Sequence, residues 1–111
     1  MSLIRILEAS PGCAGIETDR LWMELGQPML IAPNLAMTAS MDCIDGEHVP
    51  AVHFVGKGAD HRFDLPAGCW LNAEDWTGYR ISPRAVEYSA SGRPLRLLLG
   101  LSAAQTAAAV H

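Results

Sequence analysis

Basic side chains, aromatic rings and long apolar runs are all scarce in this chain. Only 8 of its 111 residues are Lys or Arg, against 12 Asp or Glu, so the formal net charge is -4. A surface of that sign repels a phosphate backbone, and no general nucleic-acid binding is expected. Charged residues of both signs make up 18% of the chain, below the roughly 25% of an ordinary domain. No apolar stretch approaches the ~20 residues of a spanning helix. The longest, "PMLIAP" (28–33) and "LRLLLGL" (95–101), are strand-sized. The N-terminal "MSLIRILEAS" lacks the apolar core of a signal peptide. Cysteine is nearly absent too. Cys13, Cys43 and Cys69 form an odd set with no CxxC pair, which reads as free thiols in a reducing compartment. The expectation is a soluble cytoplasmic protein with no membrane segment.

What the chain has in excess is apolar residues, 50% of the total. A domain of this length hides only about two thirds of its unfolded surface. The remaining apolar groups need cover, and a self-complementary interface supplies it, so a homodimer or higher homo-oligomer is expected. The few charges are also unevenly placed. Residues 1–79 carry four basic and eleven acidic side chains, net -7, whereas Arg80, Arg84, Arg93 and Arg96 face Glu87 alone in 80–111, net +3. Either the two parts pair their charges across the fold or a dimer, or an anion site or an acidic face for a basic partner results.

Period-two alternation dominates the patterning. Met37, Ala39, Met41 and Cys43 point one way and Thr38, Ser40 and Asp42 the other, a half-buried strand. Asp45-Gly46 supplies a turn, and "VPAVHFV" returns as the partner strand, with Pro50 limiting its start to an edge. "SLIRIL", "PMLIAP" and "HRFDL" read as further strands. "TDRLWMELGQ" suits a strand, with a Thr18-capped helix over 18–25 as the alternative. "PAGCW" and "NAEDWTG" are loop-like, and "SPR" interrupts the strand that begins at "YRI". "AVEYSASGRPLRLLLG" is a second hairpin. Ser102 with Gln105 forms a capping-box pattern ahead of an alanine-rich segment, which predicts a short C-terminal helix over about 102–110. The expected fold is mainly β (β-rich α+β): one domain over 1–111, a small barrel, roll or sandwich of six to eight short strands and that helix.

Candidate sites are few. His48, His53 and His61 fall within 19 residues, 45–63. His48 and His53 are an odd number apart and face opposite sides of a regular strand. His53 and His61 lie on successive strands and could meet across a ladder, with Asp64 or Glu47 as companions. No HxH or HxxxH spacing is present, so no metal and no cofactor is assigned. A neutral imidazole suits proton abstraction near pH 7, which makes His53 and His61 the candidate bases. Cys13 in "PGCAG" lacks a base nearby in sequence, and no phosphate loop, GxSxG or HExxH occurs. The densest aromatic group is Trp70, Trp76 and Tyr79, with Asn72, Asp75 and Arg80 among them. Rings beside polar groups suit stacking on a flat or sugar-like ligand or a partner. The same rings could instead close the end of the core.

The stretch "FDLPAGCWLNAEDWTGYRIS" (63–82) resembles the later strands of a cupin-type roll. In that superfamily's sugar-nucleotide ketoisomerases a Trp-His pair stands where this chain has Trp76-Thr77, and the histidine is missing here, as are the paired HxH ligands. The resemblance covers about 20 residues and implies a cupin-like barrel without the usual metal site. Three functions follow. The first is a binding or interaction module working through Trp70–Arg80. The second is a cupin-like isomerase or epimerase with a histidine base. The third is an acidic inhibitor or regulator of a basic partner.

Overall fold

The computed structural model describes residues 2–7, 17–56, 58–65 and 68–103. They form nine strands and one helical turn: β1 (Leu3–Ile6), β2 (Asp19–Glu24), β3 (Met29–Ala32), β4 (Leu35–Ile44), β5 (Glu47–Gly56), β6 (Ala59–Asp64), β7 (Leu71–Ala73), α1 (Glu74–Thr77), β8 (Tyr79–Tyr88) and β9 (Pro94–Ala103). The protein is mainly β, in two antiparallel sheets. One sheet runs β1-β8-β9-β2, with β7 also pairing β8, and the other runs β3-β4-β5-β6. Among the described residues the strands do not close into a barrel.

Alternation builds the core as the sequence suggests. Leu35, Met37 and Ala39 of β4, and Val52 and Phe54 of β5, meet Met23 of β2, Ile81 and Val86 of β8, and Leu97 and Leu99 of β9 in one cluster. Phe54 is fully buried; burying a ring of that size stabilises by about 1.5–3 kcal/mol. Thr38 and Ser40 are only half-buried. The β4–β5 hairpin closes as expected at Asp45 and Gly46, whose φ values of 52° and 82° are the two positive angles of a type I′ turn.

The ambiguous segment is strand. Asp19–Glu24 pairs with Arg96–Leu101 of β9. Thr18 does not cap a helix. Its hydroxyl lies 3.1 Å from the Leu101 carbonyl and accepts the Ala103 N–H at 3.1 Å, stitching β2 to β9.

Several expectations are corrected. Nine strands, not six to eight, occur among the described residues. Ser102 does not begin a helix, because β9 continues through Ala103; the rest of the expected helix, 104–110, lies outside the described residues. "NAEDWTG" is structured: β7 leads into α1, Asn72 Oδ1 accepts the Glu74 N–H at 3.1 Å, and Gly78 ends the turn at φ 81°. "SPR" does not interrupt its strand. Pro83 pairs with Leu99 and Ala85 with Leu98, so Arg84 is an extra residue in a bulge. On the other side of β8, β7 covers 79–81 and β1 covers 85–88, and Pro83 falls in the gap between them. Pro50 also lies inside its strand, opposite Met41. Its carbonyl accepts the Leu65 N–H at 2.8 Å just beyond the end of β6, so its missing donor falls where that ladder stops.

The thiols differ from expectation as well. Cys43 is free and exposed, whereas Cys69 is disulfide-bonded. A set of free thiols was the ground for expecting a reducing compartment, and that ground is removed. Among the described residues, no helix is long and apolar enough to cross a membrane.

Candidate functional site

The three histidines do not converge. Register places Phe54 opposite His61 and His53 opposite Arg62. Phe54 is core, so His61 shares the core-facing side and His53 the outer side. His53 Nε2 contacts Asp60 Oδ1 on that outer side. The ring of His61 lies edge-on to Trp76 at 5.3 Å. The ring of His48 lies 6.3 Å from that of Tyr88, tilted by 24°. Among the described residues, no three His, Cys, Asp or Glu side chains gather into a metal-holding group.

The aromatic stretch is split rather than gathered. Trp76, carried on α1, stacks on Phe54 with centroids 5.4 Å apart and planes 10° apart, and it packs against the core. Trp70 lies under the guanidinium of Arg84 at 4.7 Å. Arg84 in turn bonds Glu17 Oε1 at 3.0 Å, and this group covers Gly100, where an added Cβ would meet Glu17 Oε1 at 2.4 Å. Asn72 and Arg80 are paired on β7 and β8 and exposed. Arg80 Nε lies 3.3 Å from Glu74. Asp75 is exposed on α1.

Tyr79 goes elsewhere. It pairs with Ala103 of β9 and shares the core-facing side with Ile81. With Thr77 it borders a cleft of about 250 Å³ near the start of β8, walled by Leu21, Met29, Ile31, Met37, Ile81 and Leu101. Leu30 also borders this cleft and is 71% exposed. The Thr77 hydroxyl accepts the Tyr79 N–H at 3.0 Å, which fixes the chain where α1 turns into β8. The walls come from five separate segments, so the sequence spacing of Tyr79 could place it at a site without revealing what surrounds it.

A second cleft, of about 390 Å³, lies near the other end of β8. Arg5 and Leu7 follow β1 along one wall, Val86 and Tyr88 lie beside them, and Met41 and His48 come from the facing hairpin. Sequence reasoning missed it. The only signal was the arginine within the aliphatic strand "LIRI".

The charge split is partly settled within the chain. Arg84 and Arg80 reach back to Glu17 and Glu74 of the acidic part, and Arg96 pairs with Glu87 of its own segment. Burial alone would raise the Glu17 carboxyl; the hydrogen bonds and positive charges of Arg20 and Arg84 outweigh it and hold the pKa below the ordinary carboxylate value. Glu87 is lowered by hydrogen bonds from Ser2 and Arg96.

No family model, curated protein or solved structure matches this chain.

Proposed function

We propose that the protein is a small binding module that takes an apolar group of a ligand or protein partner into the Tyr79 cleft. One observation supports this reading above the others: six aliphatic or methionine residues from both sheets wall a concavity that Thr77 and Tyr79 also border. Apolar walls with one or two fixed polar groups give affinity and orientation together. Asn72 and Arg80 lie on the opposite face of their strands, so Tyr79 alone of the six residues anticipated as a site borders this cleft.

The reading includes self-association. Leu3, Ile4 and Ile6 of edge strand β1 are 64%, 55% and 68% exposed. An aliphatic edge strand is a template for pairing, and a second copy of β1 placed antiparallel across a two-fold axis would cover it.

A histidine-based isomerase has less support, because His53 and His61 face opposite sides of their sheet and neither borders a cleft named above. A regulator built on charge has less support too, since Glu17, Asp42, Asp64, Glu74 and Glu87 already meet arginines.

Methionine methyl spectra test the cleft directly. Titration with cyclohexanol, a small apolar body with one hydroxyl, should shift the Met29 and Met37 methyls saturably and leave Met41 unmoved. Met29→Trp, which fills the cleft, should abolish the Met37 shift while the protein stays folded. An unchanged Met37 shift in that variant, or no saturable shift in the native protein, would overturn the assignment.

A further inference from the structure

We propose that the cleft bordered by Arg5, His48 and Tyr88 binds a small organic carboxylate with an aromatic or branched apolar body. The argument starts from register. Arg5 pairs with Val86, and Leu3 with Tyr88. Val86 is fully buried in the core cluster. Arg5 therefore stands on the core-facing side of β1, a side that is mostly apolar elsewhere in these sheets. Arg5 borders the cleft of about 390 Å³, a volume within the roughly 300–1,000 Å³ range of small-molecule sites.

Arg5 is also uncommitted. Among the described residues, Arg20, Arg62, Arg80, Arg84 and Arg96 each pair with a carboxylate, whereas Arg5 and Arg93 pair with none, and of these two Arg5 is the one that borders this cleft. A guanidinium offers donors in a planar fork that matches a carboxylate in bidentate fashion. In a chain of net charge -4, an unpaired cation at the edge of a cleft is a local attractor for an anion that the rest of the surface repels.

The body of the ligand is read from the walls. Leu7, Met41 and Val86 are apolar, and the rings of His48 and Tyr88 stand 24° from parallel with centroids 6.3 Å apart. Flat rings beside aliphatic side chains favour a flat or branched hydrocarbon group. Glu47 borders the same cleft and makes no ion pair with Arg5 within 4.0 Å. It competes for that guanidinium and opposes an anion, so it sets the affinity downward. The site shares no residue with the Tyr79 cleft and stands or falls independently of it.

The probe is phenylacetate, followed by the Met41 methyl and the Arg5 Nε–H resonance. The native protein should show one saturable set of shifts there, with Met29 and Met37 unmoved. The neutral isostere phenylacetamide should bind about tenfold or more weakly, a loss of about 1.4 kcal/mol. Arg5→Gln should lose affinity to a similar degree, Arg5→Lys should fall between, and Glu47→Gln should bind more tightly than the native protein. Equal binding of acid and amide, equal binding by Arg5→Gln, or the absence of a saturable Met41 shift would overturn the proposal. If Arg5→Gln fails to fold, Arg5→Lys and Glu47→Gln decide: unchanged affinity in both overturns it.

Discussion

Two neighbouring aromatic residues, three positions apart, have different fates. Trp76 is spent on the core face of Phe54, while Tyr79 borders an open cleft. Composition identified both rings and could not separate them, because the choice depends on α1 turning Trp76 inward before β8 begins. The same holds for charge. The excess of arginine after residue 79 was legible, but the Arg84–Glu17 partnership over Gly100 was not, since it joins residues 67 positions apart. That partnership has a pH signature. The folded pKa of Glu17 is depressed, so its contribution is full above the unfolded carboxyl value of about 4.3 and is lost as pH falls through the lower folded value. Glu17→Gln should therefore be less stable than the native protein at pH 7, and the gap should narrow as pH falls below the ordinary carboxylate range. Thermal unfolding across that range checks it; a constant gap at every pH would contradict the ion-pair account.

At the scale of elements, alternation was the reliable guide. The β4–β5 hairpin, its Asp45-Gly46 turn and the β8–β9 hairpin are all present where the pattern puts them. Proline was the misleading guide. Pro83 reads as a break, yet β8 absorbs it beside a bulge and between two strands that lie end to end along it. The pattern along one segment does not reveal which neighbours leave such a gap. Turn glycines can be ranked in the same physical terms. Gly46 has φ +82° and open space around its missing Cβ, whereas a Cβ on Gly56, at φ +134°, would sit 1.8 Å from the Asn34 carbonyl oxygen. Gly46→Ala should cost about 1–2 kcal/mol, the left-handed penalty alone. Gly56→Ala should cost more, because strand β4 must also move. Urea denaturation of both variants measures the order, and equal losses would show that the Asn34 approach is not a constraint.

For the whole molecule, the surplus of apolar residues has visible destinations. Much of it fills the core between the two sheets, and some lines the Tyr79 cleft. Among the described residues, others face solvent on β1 and at points such as Leu30, Ile44 and Val55. The proposal common to these features is that the surface left uncovered by folding is contact surface, first of all for a second copy of the chain. Sedimentation velocity, run over a dilution series on the native protein and on the Ile4→Lys, Ile6→Lys double variant, tests this most directly. The account predicts a dimer for the native chain and a folded monomer for the variant. A native chain that sediments as a monomer at every concentration would contradict it.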